Sequence, residues 1–228
     1  MKRIPVLFLL LSVLTGCAGT TVLQSEDFTL SNTEFSYYYW SEFFYVQGVY
    51  GSFADADFNQ PLDKQMYDET RSWQDYLTDQ TLTMVKETMS LVFAAQDAGH
   101  ELSEEYEKSF ETVMADFTAD ATEKGYKTMD AYLKDSYGRD ATEESFRQYL
   151  YCTHLAASYD DALYAACAPT EEEAKAYLEQ SSEADLAQAT ENLHMQTYKN
   201  AQAEIFKTYS FAVNREKIRI TAPKGLYD

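Results

Sequence analysis

The sequence predicts a mainly α fold, and three observations carry that prediction. Only 8 Gly and 4 Pro stand among 228 residues, too little turn chemistry for a β-sandwich or for a phosphate-cradling α/β fold. Apolar residues recur at helical spacings over long stretches, and residues that cap helix N-termini stand in front of most of them. The chain is 45% hydrophobic, too apolar for a disordered acidic tail and long enough to bury a real core.

In chain order, Phe28-Thr29-Leu30 reads as a brief strand, and Ser31 or Asn32 as the N-cap of a first helix starting near Glu34. Phe35 to Phe53 holds ten aromatics in 19 residues. They cannot all share one face of a 3.6-period helix, so this helix is either buried on several sides or partly exposed as a binding surface. Gly51 to Pro61 reads as a linker. From Leu62 a long amphipathic helix is expected, with Trp73, Leu77, Met84, Leu91 and Ala95 on its inner stripe, widened by Val85, Met89 and Val92, and Gly99 as its cap.

Ser103 opens a third helix whose Glu104 and Glu105 suit the helix dipole; Phe110, Val113, Met114 and Phe117 face inward and Gly125 closes it. Thr128 caps a short helix ending at Tyr137-Gly138. Thr142 caps the next, which Pro169 stops. Thr170 with Glu173 forms a capping box for a helix through Leu178. A last helix covers Asp185 to Tyr209, and the alternation of Ile218 and Ile220 with Lys217, Arg219 and Thr221 reads as a terminal strand.

The N-terminus carries a second kind of signal. Lys2 and Arg3 precede an apolar run from Ile4 to Leu14, the pattern of an export signal and too short to span a bilayer. Leu14-Thr15-Gly16-Cys17 resembles a bacterial lipobox. That resemblance implies cleavage before Cys17 and a lipid on its thiol, with residues 1–17 as signal peptide and lipobox and 18–30 as a tether. An ordinary signal peptide with a chance cysteine is the alternative. Two acyl chains anchor stably where one is marginal.

Charge separates the remaining function classes. The chain has 18 Lys plus Arg against 38 Asp plus Glu, a formal −20, which excludes a nucleic-acid partner held by phosphate contacts. Loss of residues 1–16 removes two cations and leaves 16 basic against 38 acidic residues, −22. Anionic headgroups repel such a body, so membrane attachment rests on lipid at Cys17. Cys152 and Cys167 fall in one expected helix roughly 22 Å apart, beyond disulfide reach, and read as small core residues.

The order of parts resembles a known family. Ser31–Tyr39 (SNTEFSYYY), Pro61–Tyr76 (PLDKQMYDETRSWQDY), Ala95–Glu105, Gly125–Leu133 (GYKTMDAYL) followed by Tyr137-Gly138, and Thr170–Leu178 (TEEEAKAYL) are similar to the helical chaperone module of SurA/PrsA-like foldase lipoproteins. The resemblance implies a multi-helix module over residues 31–181 that cradles unfolded exported polypeptides. It also implies a C-terminal segment, 182–228, whose helix and strand return to pack on the N-terminal helix and pair near Phe28. The family usually inserts a parvulin-type prolyl isomerase before that segment. Here Tyr177 to Tyr209 spans only 33 residues, already helical in pattern and fewer than the roughly 40 an independent domain needs.

No catalytic constellation emerges. His100, His154 and His194 have no acidic or thiol partner at ligand spacing, Glu171-Glu172-Glu173 sits where a helix dipole explains it, and no calcium loop or GxSxG elbow is present. No catalytic residue, metal or cofactor is assigned. The aromatic segment is the functional candidate, because Trp and Tyr give large contact area at low entropy cost. Tyr38, Trp40, Phe44, Tyr45, Trp73 and Tyr76 are the candidate client-binding residues. The expected function is ATP-independent chaperone-like binding of unfolded or exported polypeptides, lipid-anchored on the extracytoplasmic face of the cell membrane. A foldase-type prolyl isomerase and a cell-surface assembly protein with one fixed partner are the alternatives.

Overall fold

A computed structural model describes residues 20–26, 28–51, 55–181, 183 and 185–227, and nothing of the Tyr50 side chain. The expected signal peptide and lipobox, Cys17 included, lie outside the described residues. The fold is mainly helical with one small sheet. Its elements are strands β1 (Thr21–Gln24), β2 (Thr29–Ser31) and β3 (Ala212–Val213), and helices α1 (Asn32–Tyr50), α2 (Trp73–Asp97), α3 (Glu104–Glu123), α4 (Met129–Tyr137), α5 (Glu143–Ala166), α6 (Glu171–Gln180) and α7 (Leu186–Thr208).

The helix starts follow their caps. Ser31 and Glu34 form a capping box, as do Thr170 and Glu173. Ser103, Thr142 and Asp185 accept from the backbone N–H three residues on. Helix α2 departs from expectation by starting at Trp73 instead of Leu62. The Asp68 carboxylate accepts from the backbone of Thr70 and Arg71, which bends the chain back, and Ser72 exchanges hydrogen bonds with Asp75 at the new start. These local bonds outcompete the helix there. Leu62–Lys64 is only a turn of 3₁₀ helix.

The chain forms two compact units. The first contains the described residues up to Thr81, Leu133–Ala141 and the tail from Ser210. Its sheet runs β2-β1-β3, antiparallel throughout, with Leu23 opposite Leu30 on one side and Val213 on the other. The returning strand is therefore Ala212–Val213, and it pairs with β1 instead of residues near Phe28. Ile218–Ile220 is not a strand. The Asn32 side chain occupies the backbone of Arg219, accepting from its N–H at 2.7 Å and donating to its carbonyl at 2.9 Å, so those groups are not free for a ladder.

The second unit contains Leu82–Tyr132 and Thr142–Tyr209. Helix α3 packs on α5, where Phe117 and Phe146 approach to 4.5 Å between ring centroids. Helix α7 packs on α6 and α5. His194 stacks on Tyr164 at 4.0 Å, and Asp160 accepts from Tyr198 and Gln202. Cys152 is buried in α5 as expected. Cys167 is half-buried at the helix C-cap rather than in the core.

Candidate aromatic docking face

Helix α1 is buried in two different ways along its length. Phe35 through Trp40 are six consecutive buried residues, so the first half of the helix is enclosed on every side. Beyond Trp40 the helix is enclosed on one side only: Phe43 and Val46 are buried, while Ser41, Phe44, Tyr45, Gly48 and Val49 are exposed. Those five positions have the i, i+3, i+4, i+7, i+8 spacing of one helix face. Helices normally turn such an apolar stripe inward. Here Phe44 (47% exposed), Tyr45 (57%) and Val49 (48%) turn it outward.

Gly48 stands in the middle of this stripe. A Cβ built there would meet nothing within 4 Å, so no packing among the described residues requires a glycine. Glycine within a helix costs about 0.5–1 kcal/mol relative to alanine. At this position the helix backbone is bare within an exposed apolar face.

A continuous series of ring contacts links the stripe to a second exposed group. Phe44 touches Phe43 at 5.2 Å, Phe43 touches Phe58 at 5.5 Å, and Phe58 touches Trp73 at 6.0 Å. Trp73 is covered by Tyr67 at 4.8 Å and Tyr76 at 5.6 Å. Tyr67 and its neighbour Met66 are exposed, and Tyr76 is half-buried. The edge-on geometry of most of these pairs is the favoured arrangement of aromatic quadrupoles.

Of the six candidate client-binding residues, Phe44 and Tyr45 lie on the exposed face and Tyr76 at its margin. Tyr38, Trp40 and Trp73 are corrected to core positions, at 3%, 1% and 8% exposure. Trp40 touches Phe43 and Phe44 from the core side, and Trp73 touches Phe58. The sequence reading missed Gly48, Val49, Met66 and Tyr67. A usable signal for the first two was present: a mid-helix glycine in an apolar stripe at helical spacing.

The two tryptophans differ in how their N–H groups are met. Trp73 Nε1 donates to the Asp55 carbonyl at 3.3 Å, whereas buried Trp40 Nε1 has no hydrogen-bond partner among the described residues. Burial raises the Tyr39 hydroxyl well above its ordinary pKa, with smaller contributions from Tyr227 and Asp75, and it raises the Glu42 carboxyl beside the stripe. Hydrogen bonds from Thr70 and Arg71 hold the Asp68 carboxyl far below the usual range.

His100 and His154 each have Nε2 within hydrogen-bond distance of a serine hydroxyl, Ser158 and Ser109, and His194 faces the Tyr164 carbonyl. A shallow groove of about 660 Å³ on the second unit is lined by Met114, Thr118, Thr122 and Arg147 among others, and Arg147 is already paired with Glu143. Among the described residues no group of three or more His, Cys, Asp or Glu is placed to hold a metal ion, and no helix is long and apolar enough to cross a membrane. Comparison with protein-family models, curated proteins and solved structures gives no match for this chain.

Proposed function

We propose that this protein is a lipid-anchored chaperone-like protein of the extracytoplasmic membrane face that binds unfolded or exported polypeptides without ATP. The observation that carries the reading is the outward-turned apolar stripe of α1, with Gly48 within it, Tyr67 linked to it through ring contacts and Met66 exposed beside Tyr67. Exposed apolar faces of this kind mark interaction sites. Large aromatic side chains over a bare helix backbone suit segments of varied sequence better than a single polar ligand. The resemblance to the SurA/PrsA-like chaperone module supports the class of activity, and the lipobox-like Leu14–Cys17 supports the anchor. The net charge of −20 keeps a protein with exposed apolar surface soluble.

The test is suppression of aggregation of a reduced, unfolded client by the purified mature protein without nucleotide. Suppression at equimolar ratio is expected, weakened by Phe44→Ala with Tyr45→Ala. Failure of the native protein to suppress would remove the reading. Mass spectrometry of the N-terminal peptide tests the anchor, and an unmodified thiol at Cys17 in the membrane fraction would exclude it.

A further inference from the structure

The aromatic face lies in a strongly acidic stretch of chain. Between Glu42 and Asp79 there are eight acidic residues, Glu69 among them, and two basic ones, Lys64 and Arg71. Both cations are already engaged. Lys64 Nζ lies 2.7 Å from Asp63, and Arg71 lies 2.7 Å from Asp68 and 3.9 Å from Asp79. Glu42 and Glu69, by contrast, make neither an ion pair nor a hydrogen bond among the described residues. Glu42 is next to Phe43 on α1 and three residues before Tyr45. Glu69 follows Tyr67 by two residues.

The protein itself shows how this surface holds a cation. The Arg71 guanidinium sits 5.3 Å from the centre of the exposed Tyr67 ring while Asp68 receives its Nε at 2.8 Å. An aromatic ring and a carboxylate together satisfy a planar cation in the way both groups favour. Tyr45 with Glu42 three residues earlier on the same helix places the same two kinds of group close together, but with the carboxylate unmatched.

Resting on the chaperone reading above, we propose that this face selects unfolded segments in which Lys or Arg is interleaved with apolar residues, with Glu42 and Glu69 receiving the cations. The apolar residues of the client lie over Phe44, Gly48 and Val49, and its cations reach the carboxylates at the margin. Segments bearing acidic residues are disfavoured, because their carboxylates would meet those of half-buried Glu42 and exposed Glu69.

The experiment uses the full chain in nanodiscs of zwitterionic lipid and three fluorescent peptides of one apolar framework, carrying Lys, Gln or Glu at the same alternate positions. Anisotropy titration is expected to rank them Lys over Gln over Glu, with at least roughly tenfold between the extremes at low salt and a collapse of that ratio at high salt. Glu42→Gln with Glu69→Gln should cut affinity for the Lys peptide about threefold to fivefold and leave the Gln peptide unchanged. Glu179→Gln with Glu191→Gln, the same charge change in the second unit, should have no such effect. Equal binding of all three peptides overturns the charge selection and leaves the chaperone reading standing. An equal loss in the Glu179→Gln, Glu191→Gln variant overturns it too, since net charge alone would then produce the preference. Binding of none of the peptides removes both readings.

Discussion

The rings of Tyr67 and Tyr76 stack with centroids 4.0 Å apart and planes 14° from parallel, and together they close over Trp73. Stacked and edge-on aromatic pairs contribute about 0.5–1.5 kcal/mol each beyond buried area. Tyr67→Ala should therefore cost about 1–2 kcal/mol in a urea melt. It should also open Trp73 to water, read as a red shift and stronger acrylamide quenching of tryptophan emission. An unchanged emission spectrum would mean that Tyr67 does not shield Trp73 in solution.

Gly48→Ala separates stability from function. The added methyl meets nothing within 4 Å among the described residues, so the substitution should stabilise α1 by about 0.5–1 kcal/mol. If the bare backbone admits a client, the same variant should bind unfolded peptides several-fold more weakly. Stabilisation without loss of binding would move the close approach away from this position.

Trp40→Phe should be milder than its size suggests. It deletes apolar area, but it also deletes an N–H that is buried without a partner among the described residues, and such a group costs about 1–3 kcal/mol. The two effects oppose, leaving a net change within about 1 kcal/mol, against about 3–5 kcal/mol for Phe43→Ala in the same core. Chemical denaturation of the two variants measures the contrast.

On the second unit, Tyr106 donates to the Asp161 carboxylate at 2.7 Å and joins α3 to α5. That hydrogen bond, more than burial, pushes the Tyr106 pKa up to about 12 from 10.0. The folded-state pKa is raised, so the contribution to stability is complete below the ordinary value and is lost as pH rises from about 10 to about 12. Asp161→Asn should bring the Tyr106 titration back toward its ordinary value. A phenolate absorbance titration, taken as the difference from Tyr106→Phe, checks this.

The tail offers a fourth contact to break. Arg215 pairs with Asp79 on α2, and Asn32 holds both backbone groups of Arg219. Asn32→Ala removes the two Arg219 bonds and should make the chain after Val213 more susceptible to limited proteolysis. Each lost bond is worth about 0.5–1.5 kcal/mol. Unchanged cleavage kinetics would show that the Asn32 bonds are not needed to hold the tail.

The sequence by itself determined the helical class and most helix starts, because capping is local. Ser31 with Glu34, and Thr170 with Glu173, meet orphan N–H groups within one turn and need no distant partner. It also determined the acidity of the aromatic stretch, and it left the aromatic residues of α1 poised between core and surface. Only the tertiary structure decided between those. Phe35 to Trp40 have no amphipathic period, so nothing local distinguishes them from Phe44 and Tyr45; enclosure of the first half of the helix and exposure of the second come from what packs there. The same holds for the returning strand. The alternation at Ile218 and Ile220 is a local pattern, but a long-range pair of hydrogen bonds from Asn32 claims the Arg219 backbone, and pairing with β1 falls to Ala212 and Val213.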